Sequence, residues 1–80
     1  MDDTDIVRRI NTLAEEEHGL ERAHEGDELS LQERERLHEI EVALDQCWDL
    51  LRQRRARRNA GQNPDDVEVR PENVVEGYRQ

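Results

Sequence analysis

Three Glu-x-x-His pairs carry the chemistry most easily read from this chain: Glu15/His18, Glu21/His24 and Glu35/His38. A carboxylate and an imidazole three residues apart project from adjacent turns of one helix face, as they do in the dinuclear metal centres of four-helix bundles. Cys47, the only cysteine, stands beside Trp48, the only tryptophan. The stretch around them, "LDQCWDLLRQRRARR" (44–58), then turns into five arginines within seven residues: Arg52, Arg54, Arg55, Arg57 and Arg58. A basic run of this kind is the sequence footprint of a nucleic-acid or acidic-partner patch.

Which of these groups can act depends on the elements that position them. From about residue 4 to 25, Ile6, Ile10, Leu13 and Leu20 recur at helical spacing, with Val7, Ala14 and Ala23 alongside. Thr4 or Asp3 can cap this helix, and Asp2, Asp3 and Asp5 put negative charge at the positive end of its dipole. The pattern breaks at Gly26-Asp27, and Ser30 followed by Glu33 has the spacing of a capping box opening a second helix. Along that helix Leu37, Ile40, Leu44, Cys47 and Leu51 alternate in steps of three and four, a coiled-coil-like seam. Asn59-Ala60-Gly61 is a stop, with a glycine available for the left-handed position. The expected fold is all-α. Residues 1–61 form an antiparallel two-helix hairpin (helix about 4–25, turn about 26–30, helix about 31–59), and 62–80 form an extended, non-helical tail bracketed by Pro64 and Pro71.

A short turn makes the two helices antiparallel neighbours. A register in which facing positions add to about 57 pairs Ile6 with Leu51, Ile10 with Cys47, Leu13 with Leu44 and Leu20 with Leu37, each an a against a d position. The same register sets Glu17 against Ile40 and makes the loop end of the seam polar. It also brings Asp5, Asp3 and Asp2 opposite Arg52, Arg54 and Arg55, and Arg8 opposite Asp49, and it leaves Arg57 and Arg58 beyond the acidic first turn.

Seen in this frame, most of the chemistry recedes. Glu15, His18, Glu35 and His38 fall on outer positions, where helical carboxylate–imidazole pairs are surface interactions. Only Glu21 and His24 lie near the seam, as weak metal candidates. The linker "EGDELSLQERER" (25–36) places Gly26 second, Leu29 fifth and Arg36 twelfth, a poor match to a calcium loop. Cys47 occupies a seam position with no histidine nearby, so it reads as a small buried hydrophobe rather than a nucleophile. No phosphate loop or nucleophile motif is present. The expectation is a protein that is not an enzyme, with no catalytic residues and no cofactor. The arginines are where a helix dipole favours cations, beside an acidic partner terminus.

Composition agrees. Charged residues make up 41% of the 80 and apolar ones 32%, with no Phe, which suits long solvated helices. All twelve basic residues are Arg. A net charge of −9 argues against general affinity for nucleic acid or anionic lipid. The basic patch is local, five arginines and no acid in residues 50–61 against 16 acids and five arginines in residues 1–49. One cysteine fits a reducing compartment, and no apolar run approaches a signal or membrane-span length. A cytoplasmic protein with no membrane partner is expected.

Two amphipathic helices bury little at this size. Val7, Ala14, Ala43, Trp48 and Leu50 lie beside the seam and predict a partner interface: a homodimer closing into a four-helix bundle, with the tail either folded back over the face of Trp48, on its own or the partner subunit, or, less favoured, a peptide that docks elsewhere. Val67, Val69, Val74, Val75 and Tyr78 give the tail more apolar character than a disordered segment carries.

The segments "IVRRINTLAEEEHGL" (6–20), "LDQCWDLLRQRRARR" (44–58) and "VRPENVVEGYRQ" (69–80) resemble a family of small actinobacterial proteins of unknown function. The resemblance spans nearly the whole chain and implies a bacterial cytoplasmic origin, but carries no activity, substrate or catalytic residue with it. The leading expectation is a helical protein–protein interaction or regulatory module with an unidentified protein partner. A nucleic-acid-associated regulator using Arg52 to Arg58 is the less favoured alternative, and a divalent-metal protein using the Glu/His pairs comes third.

Overall fold

The computed structural model describes residues 2–23, 26 and 28–71. Helix α1 (Asp3–Ala23) and helix α2 (Leu31–Asn59) pack as a hairpin, followed by one 3-10 turn (Pro64–Asp66). The all-α hairpin is the fold observed, and no strand occurs among the described residues.

Local chemistry sets the helix ends. The cap of α1 is Asp2, one residue earlier than expected. Its carboxylate accepts from the Asp5 backbone N–H at 2.8 Å, and the Asp5 carboxylate accepts from the Asp2 N–H at 3.3 Å. Asp2 displaces Thr4 and Asp3 as the cap because a carboxylate three residues later returns the bond. Helix α2 opens on the expected capping box, with the Glu33 N–H donating to Ser30 Oγ and the Ser30 N–H to Glu33 Oε1. It closes at Gly61, whose φ of 72° lies in the left-handed region. There the N–H groups of Gly61 and Gln62 bond back to the carbonyls of Arg58 and Arg57, a Schellman closure.

The core is thin. Ile6 and Ile40 have no exposed surface and Leu13 almost none, while Ile6, Ile10, Leu50 and Leu51 form one cluster against which Leu44, Cys47 and Val67 pack. The cluster and an Asp3–Arg54 ion pair follow the expected register. Ile40, a seam position in that register although set opposite Glu17, is fully buried, with Glu17, Leu20 and Leu37 half-buried around the same stretch. Across the helices at this end, Arg36 grips Glu16 through Nε (2.5 Å) and a second nitrogen (2.7 Å).

The tail supplies the third layer. Helix α2 is 29 residues long against 21 for α1, so its last turns have no α1 beside them. The 3-10 turn packs there, begun by Asn63, whose side chain accepts from the Asp65 N–H, and by Pro64 with its preset φ. This turn corrects the expectation of a wholly non-helical tail. Residues 67–70 then run back along α2 in extended conformation. Gln53 donates to the Glu68 carbonyl at 3.1 Å, Gln46 donates to the Arg70 carbonyl at 3.3 Å, and Val67 seats on the core.

The described part of the tail, residues 62–71, does not lie over Trp48. Gln46 and Trp48 are about 200° apart around a helix of 3.6 residues per turn, so a strand held by Gln46 and Gln53 runs along the other side. The five expected flank residues therefore divide. Ala43 and Leu50 line a groove with Val69 on the tail side, and Leu50 is buried. Val7 and Trp48 remain 45% and 49% exposed on the opposite flank, with Ala14 half-buried beside them. The expected contacts of Val74, Val75 and Tyr78 lie outside the described residues.

Candidate functional site

The arginine run is the first candidate, and most of it is engaged inside the chain. Arg54 is only 6% exposed. Its guanidinium donates to Asp3 Oδ1 (2.5 Å), Asp65 Oδ1 (2.7 Å) and the Pro64 carbonyl (3.2 Å), tying together α1, α2 and the tail. Arg58 donates to the other Asp3 oxygen at 2.5 Å. That corrects the expectation that Arg58 lies beyond the acidic terminus. Helical side chains lean toward the helix N-terminus, so Arg58 reaches back one turn to the level of Arg54. Arg57 donates to Gln62, and Arg52 sits 3.9 Å from Asp49 rather than across from Asp5. Arg55 is exposed and in no ion pair among the described residues.

Two other expected cross-pairs also differ. Asp5 pairs with Arg8 on its own helix at 3.6 Å, and Asp2 serves as the cap instead of facing Arg55. Asp49, expected opposite Arg8, is 1% exposed and turned toward the tail. It accepts from Gln53 at 2.8 Å and lies 3.5 Å from Arg70. Helical geometry puts position 49 beside the Gln46–Gln53 face, away from α1.

Arg54 and then Arg58 hold the Asp3 carboxyl below its ordinary value of 3.8, and Arg36 holds Glu16 below 4.5. A depressed carboxylate contributes stability above its ordinary pKa and loses that contribution as pH falls through the folded value. Thermal melts should therefore be flat from neutrality to about pH 5 and fall below about pH 4. Asp3→Asn should flatten the acid limb, and added salt should shrink it because these groups meet solvent. An acid limb identical in Asp3→Asn would overturn the assignment.

The remaining chemistry finds no assembly. Glu15, His18, Glu21, Glu35 and His38 are exposed, and His24 lies outside the described residues. No three His, Cys, Asp or Glu side chains gather to hold a metal among the described residues. Cys47 is half-buried, and burial pushes its thiol pKa up, away from the reactive thiolate. The groove beside it, between Arg9, Ala43, Leu50 and Val69, holds about 190 Å³, below the usual range of small-molecule pockets.

The second candidate is the uncovered flank of Val7, Ala14 and Trp48. The indole is the largest side chain of the molecule and stands on a rigid helix, half in water. Trp is among the residue types enriched at the energetic centres of protein interfaces.

The family described as protein of unknown function (DUF2630) matches residues 2–80. The chain belongs to this family. Two mycobacterial relatives, the uncharacterized protein Mb0922c of Mycobacterium bovis and the uncharacterized protein Rv0898c of Mycobacterium tuberculosis, are each 44% identical over 77 residues. The alignments cover 95% of this chain and 88% of each relative. No solved structure matches. The DUF2630 relationship confirms the actinobacterial resemblance and brings no activity with it. Among the described residues, no helix is long and apolar enough to cross a membrane.

The sequence reading missed the residues that dock the tail: Gln46, Gln53, Asp65 and Arg70. Gln46 and Gln53 stand seven apart on one helical face, a signal that a search for polar as well as apolar stripes would have found. It also missed Arg36–Glu16, which flanks the seam one position outside the facing pairs.

Proposed function

We propose that this protein is a non-enzymatic protein–protein interaction or regulatory module of the bacterial cytoplasm that works as a homodimer, joined through the flank of Val7, Ala14 and Trp48. The observation that carries the reading is the 49% exposure of Trp48 beside the 45% exposure of Val7. Apolar surface is scarce in this chain, so a shared stripe of it on one face is favourably covered. A cytoplasmic setting suits the lone half-buried thiol. The nucleic-acid alternative is weakened because Arg54, Arg57 and Arg58 are held by Asp3, Asp65 and Gln62.

Sedimentation equilibrium at micromolar concentration tests the reading. Wild-type protein is expected as a dimer and Trp48→Asp as a monomer of unchanged helix content, since a half-exposed position tolerates the charge within the hairpin. A folded wild-type monomer would overturn it.

A further inference from the structure

The uncovered flank carries charge in a pattern that names its own partner. Glu41, Trp48 and Arg55 follow one another at intervals of seven on α2, so the three leave the helix in nearly the same direction. Trp48 is midway, about 10 Å from each charge at 1.5 Å per residue. Glu41 and Arg55 are both exposed, and neither is in an ion pair among the described residues. The neighbouring charges follow the same polarity, with Asp45 before Trp48 and Arg52 after it.

A face that is acidic on one side of its anchor and basic on the other is complementary to itself turned around. A two-fold axis requires this of any isologous interface. With two α2 helices antiparallel and the axis at Trp48, Glu41 of each chain meets the partner's Arg55, once on either side of the paired indoles. A parallel arrangement would instead set Glu41 against the partner's Glu41 and Arg55 against the partner's Arg55, and like charges placed together discriminate strongly against a pairing. Val7 and Ala14, level in the hairpin with Leu50 and Ala43, extend the same patch onto α1. Residues 67–70 occupy the other side of α2, held through Gln46 and Gln53.

We propose that the occupant of this flank is a second copy of this chain, packed α2 against α2 in antiparallel sense about a two-fold axis at Trp48, with Glu41 of each chain paired to Arg55 of the other. The proposal rests on the dimer reading above and specifies its geometry.

Charge reversal in the full chain tests it, read by sedimentation at low salt with circular dichroism as the folding control. Glu41→Arg and Arg55→Glu should each weaken self-association by about tenfold or more. The double variant Glu41→Arg/Arg55→Glu should return to within about threefold of wild type, since the pairs are restored with signs exchanged. An equimolar mixture of the two single variants should form the heterodimer in preference to either homodimer. The single-variant losses should shrink as salt is raised. A wild-type dimer that Trp48→Asp dissociates but neither reversal weakens, or a double variant as weak as the singles, overturns this geometry and leaves the dimer reading intact. A monomeric wild type overturns both.

Discussion

Ile6→Ala should destabilise the hairpin by roughly 2–5 kcal/mol, the cost of removing a fully buried aliphatic side chain from a site that cannot close up. Ile6 has no exposed surface and sits in the cluster with Ile10, Leu50 and Leu51. Few other side chains share that load, because a domain of this size buries a smaller fraction of its surface than a large one does. Whole domains are held by only about 5–15 kcal/mol, with small ones near the bottom, so the variant should be close to unfolding at room temperature. Urea titration followed by circular dichroism measures the effect, with an unchanged m-value showing that the transition is the same one. Val7→Ala, one residue along but 45% exposed, is the contrast and should cost far less within the hairpin. A loss from Ile6→Ala below about 1 kcal/mol would mean that the first turns of α1 are not docked as described.

Asp49→Ala should release the tail while leaving the hairpin standing. The carboxylate is 1% exposed, accepts from Gln53 at 2.8 Å and lies 3.5 Å from Arg70. Gln53 in turn holds the Glu68 carbonyl, so one buried group orients the side chains that dock residues 68 to 70. Losing hydrogen bonds to a charged acceptor costs about 1.5–3 kcal/mol, which converts to about a 10- to 100-fold rise in the open population. Cys47 reports it, because Val67 and this thiol pack against the same cluster. Alkylation of Cys47 under native conditions should accelerate. Unchanged alkylation would mean that the tail is held from its Arg54 end alone.

The difference between these two variants follows what was legible in the chain. Ile6 belongs to a seam that periodicity makes visible, since residues three and four apart share a helix face wherever the helix sits. Ser30, Glu33 and Gly61 act within a few residues of themselves, so the α2 ends were legible too. The start of α1 was misplaced by one residue because the return bond from Asp5 was not weighed. Asp49 was misread for a different reason. Position along a helix says which residues are neighbours on that helix, but not which face a returning tail will take.

The same limit explains the candidate site. Arg52, Arg54, Arg55, Arg57 and Arg58 look alike as a run of cations, yet Arg54 is buried among three acceptors and Arg55 is solvated. Their roles depend on the overhang of α2 beyond α1 and on the turn at Pro64 that fills it. Likewise Ala43, Trp48 and Leu50 read as one stripe until the tail took one side of it.

By itself the sequence determined the two helices, both ends of α2, their antiparallel packing and the pairing of Asp3 with Arg54, because each depends on spacing within a helix or on one offset between two. Only the tertiary structure decided which flank the tail covers, which arginines are engaged, and that Val7 and Trp48 are left in water. Those outcomes rest on where an extended segment finds hydrogen-bond donors and an apolar seat together. Gln46, Gln53 and Leu50 supply both on one side of α2, and the side of Trp48 does not.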